Sequence, residues 1–118
     1  MKTQLRFASV AIAVAALFPS SAVLAQTVVR IGHVAPMTGG IAHLGKDNEN
    51  GAKLAIADLN KAGLTIGGQK VKFELLSEDD AADPKQGTAA AQKLVDAKVA
   101  GVIGHLNSGT TIPASTLY

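Results

Sequence analysis

The chain reads as an α/β protein, a parallel sheet with helices on both faces, and three observations point to it. Segments of strand character alternate with segments of helix character three times along the chain. One strand segment alternates apolar and polar residues, whereas another carries no polar residue at all. The helical segments begin and end at residues whose chemistry suits those positions.

The first strand is Val28 to Val34, rich in β-branched side chains. A loop from Ala35 to about Lys46, glycine-rich and broken by Pro36, leads into a helix from about Asp47 to Ala62. There Ala52, Ala55, Leu59 and Ala62 recur at three- and four-residue spacing, with Lys46, Glu49, Lys53 and Lys61 off that stripe. Gly63 stands where a helix ends in a left-handed residue. Leu64 to Ile66 and Val71 to Leu76 are short extended pieces about a Gly67-Gly68 turn. In the second piece Val71, Phe73 and Leu75 alternate with Lys72 and Glu74, which marks a strand with one wet or lightly covered face. Asp83-Pro84 is a helix start, a capping acid followed by proline at the first helical position. Ala90, Ala91, Leu94 and Val95 form the stripe that this helix buries. Val99 to Ile103 is wholly apolar and reads as a central strand covered on both faces. His105 to Thr111 is a polar loop, and Pro113 falls in the first turn of a third helix. Right-handed crossovers, with one wet strand and one dry one, give the order second, first, third.

The amino terminus is an address label. Lys2 and Arg6 precede the apolar run Phe7 to Phe18, Pro19-Ser20-Ser21 ends it, and Val23-Leu24-Ala25 suits signal peptidase, so cleavage is expected after Ala25. The run is shorter than the about 20 apolar residues that cross a bilayer. Removing Lys2 and Arg6 from the eleven basic residues leaves nine, against nine acidic ones. A balanced mature chain gives no reason to expect nucleic acid or an anionic membrane as partner. With no cysteine, the chain has neither a disulfide nor the residue on which a bacterial lipoprotein anchor is built. A freely diffusing periplasmic protein is the expectation, with secretion beyond the cell as the alternative. Residues 26–118 are expected to be a fragment of a longer protein, because Thr116-Leu117-Tyr118 ends the chain without a polar tail and just inside a helix.

Ligands of open α/β sheets bind beyond the carboxyl ends of the strands, so the loops Ala35 to Lys46 and Gly104 to Thr111 are the candidate site. Their amides and hydroxyls, Ser108, Thr110 and Thr111 above all, suit an anionic group such as a carboxylate, although any one hydroxyl is more often a helix cap. Gly40 to Lys46 has the glycine and lysine spacing of a nucleotide phosphate loop, but Asp47 stands where a magnesium-binding hydroxyl belongs and would repel phosphate. His33, His43 and His105 match no compact metal-ligand spacing, so no metal is expected. Glu78, Asp79, Asp80 and Asp83 could do acid–base chemistry or bind calcium, yet a solvated loop and a helix cap account for them more simply. No nucleophile elbow is present, and the chain does not read as an enzyme or as the holder of a cofactor.

Three segments, IGHVAPMTGGIAHLGKDNENGAKLAIADLN, EDDAADPKQGTAAAQKLV and GVIGHLNSGTTIPAS, in that order and spacing, resemble the start of the periplasmic branched-chain amino acid binding proteins of ABC importers, the type I solute-binding family. The resemblance covers essentially the whole mature chain. It implies two α/β lobes joined by a hinge, an amino acid ligand held between them, a membrane ABC permease as partner, and a monomer at full length. By resemblance Ser108 is the position whose hydroxyl and amide hold the ligand α-carboxylate, with Asn107 and Thr110 beside it. Leu44 falls where a leucine-binding member presents an aromatic ring, so the apolar wall is kept and its shape changed. A cysteine pair of some members falls at Ala82 and Asn107, and so is absent here. Two rival readings are a relative that binds amides, urea or aromatic acids, and an exported α/β enzyme whose catalytic residues lie beyond Tyr118.

Overall fold

A computed structural model describes residues 26–118; the leader expected at Met1 to Ala25 lies outside them. The elements follow as β1 (Thr27–Ala35), α1 (Ala42–Ala62), β2 (Thr65–Ile66), β3 (Gln69–Asp79), α2 (Pro84–Asp96), β4 (Gly101–Gly104) and α3 (Ser108–Ala114). The sheet order is β2-β3-β1-β4. Both β3 and β4 run parallel to β1, which gives the expected order for the three main strands. The short β2 adds an antiparallel hairpin at Gly67-Gly68, so the sheet is mixed rather than purely parallel.

Side-chain alternation along β1 puts helices on both faces. His33 points to α1, where its Nε2 meets Asn48 Oδ1 at 2.9 Å. Its neighbours Gly32 and Val34 point to α2: a Cβ on Gly32 would lie 2.7 Å from Leu94, and Val34 packs with Ala90 and Leu94 in the core. Leu76, Val99 and Val102 extend that cluster. Helix α3 packs on α2, close enough that a Cβ on Gly87 would come within 2.9 Å of Thr110 Cβ. The other face is thinner. Of the stripe expected on α1 only Ala52 is buried; Leu59 is 37% exposed and, with Ile56, Phe73 and Ile103, borders an open apolar groove. Asn60 fastens the end of α1 to β3, donating to the Phe73 carbonyl at 2.9 Å and accepting from its amide at 2.7 Å. Among the described residues no helix is long and apolar enough to cross a membrane.

Three expectations need correction. Helix α1 starts at Ala42, five residues ahead of Asp47, because Gly45 can be buried against Pro36; a Cβ there would strike the Pro36 carbonyl. Helix α3 starts at Ser108, so Pro113 lies inside the helix rather than in its first turn. Strand β4 is not covered on both faces: among the described residues it pairs only with β1, and Ile103 is 38% exposed. The α2 start is as read, with Asp83 Oδ1 accepting from the Gln86 amide at 2.9 Å, although Val95, expected in the buried stripe, is 38% exposed. Gly63 closes α1 in the left-handed conformation.

Candidate functional site

Parallel register brings the three strand ends level: Val34 of β1 stands opposite Glu78 of β3 and Gly104 of β4. The segments that follow, Pro36 to Ile41, Asp80 to Asp83 and His105 to Asn107, therefore share one edge of the sheet, the edge where α/β folds bind ligands. Gly104 makes the turn out of β4 possible. Its φ is +125°, and a Cβ would strike the Val34 carbonyl, so only glycine allows this approach.

Ser108 is exposed at this edge and is the first residue of α3. Its amide belongs to the opening turn of a helix, whose amides have no intrahelical acceptor. Asn107 is the N-cap residue, but its side chain makes no capping bond, and its buried Oδ1 has no partner among the described residues. Capping falls instead to its carbonyl, which accepts from the amides of Thr110 (3.1 Å) and Thr111 (2.9 Å) and from their hydroxyls (3.0 and 2.8 Å). Thr110 is fully buried against Gly87 of α2, so its hydroxyl supports the loop from below. Thr111 also donates to the His105 carbonyl at 3.0 Å. Leu44 lies not on a loop but on the first turn of α1, 49% exposed. The same turn accounts for the near-match to a phosphate loop: residues 42–46 are helical and cannot wrap a phosphate with consecutive amides.

The acidic cluster is not the solvated loop that its composition suggests. Glu78 pairs with Lys93 at 2.7 Å and Asp83 caps α2. Asp79 and Asp80 instead turn onto backbone and side-chain donors. Asp79 Oδ1 accepts from the amides of Met37 (2.7 Å) and Ala81 (2.8 Å), and Oδ2 accepts from the Thr38 hydroxyl (2.6 Å). Partial burial opposes its charge, but the bonds from Thr38, Ala81 and Met37 outweigh that and lower its pKa. Asp80, with no exposed surface, accepts from the Ala82 amide at 3.0 Å and lies 3.2 Å from His105 Nδ1. His105 Nε2 is 3.1 Å from the Tyr118 hydroxyl, whose pKa is raised by desolvation. The histidines thus lie apart: His33 beneath α1, His105 on Asp80, and His43 exposed.

Residues 28–118 match the family described as periplasmic binding protein. A Leu/Ile/Val-binding protein homologue of Brucella abortus is 44% identical over 95% of this chain and 29% of its own length. The branched-chain amino acid transporter substrate-binding protein of Streptococcus pneumoniae, solved with isoleucine, superposes with a TM-score of 0.68 at 28% identity, covering 77% of this chain and 26% of that one. An ABC transporter solute-binding protein of Rhodopseudomonas palustris, solved with 3,4-dihydroxybenzoic acid, gives 0.62 at 36% identity over 76% of this chain and 24% of that one. The chain therefore spans between 24% and 29% of the length of these proteins.

Proposed function

The chain belongs to the periplasmic binding protein family, and from that premise we propose that residues 26–118 form the opening part of the first lobe of a solute-binding protein. That protein captures branched-chain amino acids for a membrane ABC permease. The observation that carries the reading is the placement of the exposed Ser108 hydroxyl and the opening α3 amides at the carboxyl edge of the sheet, beside the strand-end loop of β1. Such donors suit a carboxylate. Asn107, whose amide oxygen lacks a partner among the described residues, and the apolar Leu44 complete the ligand contacts with Ser108, and the buried Thr110 supports their loop from beneath.

The mechanism is capture without chemistry. One lobe holds the α-carboxylate, a second lobe closes over the amine and side chain, and the closed form is what the permease recognises. The mature protein acts as a monomer in the periplasm after cleavage behind Ala25, a site that the amino-terminal sequence of the exported protein checks. A second reading, an aromatic-acid carrier, draws on the relative solved with 3,4-dihydroxybenzoic acid. Calorimetric titration of the two-lobe protein with leucine and with 3,4-dihydroxybenzoate separates them. Saturable binding of leucine alone supports the first reading, and binding of the benzoate alone supports the second.

A further inference from the structure

Asp79 and Asp80 are consecutive residues at the carboxyl end of β3, yet they hold different loops. Asp79 holds the loop that follows β1, through the Met37 amide and the Thr38 hydroxyl. Asp80 reaches His105, which begins the segment after β4 and stands three residues before Ser108. The Asp80 amide also donates to the Ala35 carbonyl at the end of β1 (3.3 Å), so the two loops and the start of α2 meet at this dipeptide. The Asp80 and His105 side chains are 0% and 1% exposed. Such a pair is retained in an apolar interior only when its geometry is satisfied. Here it is: one Asp80 oxygen takes the Ala82 amide and the other takes Nδ1–H, leaving Nε2 to accept from the Tyr118 hydroxyl. Ala81 and Ala82 both have left-handed backbones, φ 45° and 57°, and each is held there by one of the two carboxylates. Residues with a Cβ avoid this conformation, so these carboxylates hold a backbone shape that is unfavourable on its own.

We propose that Asp79 and Asp80 are positioning residues that clamp the two ligand-facing loops in register, Asp80 acting through His105 on the loop that carries Ser108. The inference rests on the reading of Ser108 as a ligand contact. Position 80 needs a side chain that meets both the Ala82 amide and His105; an asparagine can do so with His105 in its other tautomer, whereas Asp80→Ala keeps neither bond. At position 79 an amide can keep both backbone amides on its oxygen and turn its NH2 to the Thr38 hydroxyl, so Asp79→Asn is mild.

The test compares His105→Asn, His105→Gln and Asp80→Ala in the two-lobe protein carrying this segment. At position 105 asparagine places a donor near the position of Nδ1; glutamine places one near Nε2 and leaves Asp80 unmet. Leucine affinity by calorimetry is expected to stay near wild type in His105→Asn and to fall about tenfold or more in His105→Gln and Asp80→Ala, the loss of a hydrogen bond to a carboxylate. A second readout needs no ligand. Amide hydrogen exchange over Leu106 to Thr111 should accelerate in the glutamine variant and not in the asparagine variant, while the Phe73 amide, held by Asn60 on the far side of the sheet, keeps its protection. Equal exchange in all variants, or acceleration spread equally to Phe73, overturns the clamp whatever the ligand is. Wild-type protein that fails to bind leucine while the exchange pattern holds would instead count against the ligand reading alone.

Discussion

Asp79 carries three hydrogen bonds on a side chain that is partly wet, and the balance between its desolvation and those bonds sets the acid behaviour of the site. Its pKa is lowered in the fold, so the unfolded chain binds the extra proton first as pH falls. The stabilisation is complete above the ordinary aspartate range and is lost as pH drops through the lowered folded value. Glu49, whose pKa is lowered by Lys53 and Ser77, acts in the same direction. Denaturant melts at stepped acidic pH should therefore show stability falling as pH is lowered below the ordinary carboxylate range, and Asp79→Asn should flatten that slope. An unchanged slope in the variant would remove Asp79 from the account. At this scale the position of Ser108 at the carboxyl edge of the sheet was legible in the sequence, because strand order alone places the loop after β4 there. The Asp80 to His105 pair was not, because 25 residues separate its members and only the parallel placement of β3 and β4 about β1 joins them.

Among the elements, legibility followed local chemistry. The start of helix α2 could be read to the residue because Asp83-Pro84 is a local start signal whose capping bond needs no tertiary partner. Helix α1 could not, since Ile41 has no capping side chain and the first turn is admitted by the contact between Gly45 and Pro36. An apolar run such as Val99 to Ile103 tells only that β4 can be covered, not what covers it. The seat of α3 on α2 is equally invisible in sequence, since it depends on Gly87 meeting Thr110 across the helix pair. Gly87→Ala improves helix propensity by about 1 kcal/mol. It also inserts a methyl 2.9 Å from Thr110 Cβ, and overpacking of this kind costs roughly 1–3 kcal/mol. A net destabilisation of about 1 kcal/mol in urea melts is expected, with faster amide exchange in α3. A stabilised variant would show that α3 is not tightly seated. Truncating the best buried core side chain, Leu94→Ala, should lower stability by roughly 2–5 kcal/mol, and a loss below about 1 kcal/mol would mean that α2 packs elsewhere.

On the scale of the whole molecule, the fold class and the order of the three parallel strands follow from the alternation of segments and the handedness of their crossovers, and family membership agrees with them. In the proposed mechanism the chain supplies one side of a clamp. The matched relatives are about three times as long, and in the proposed mechanism affinity arises when a second lobe closes on the ligand. Residues 26–118 alone are expected to show no saturable leucine binding in calorimetry, whereas the two-lobe protein binds. Tight binding by the isolated segment would contradict the two-lobe mechanism. The open groove beside Ile56, Leu59 and Ile103 and the uncovered outer edge of β4 are where the segment alone is thinnest. The central claim is that the Ser108 loop holds the ligand carboxylate, and its most direct test is leucine titration of the two-lobe protein with and without Ser108→Ala. Loss of one hydroxyl donor to a charged group predicts about tenfold or more weaker binding with an unchanged melting temperature of the free protein; equal affinity in the two proteins would contradict it.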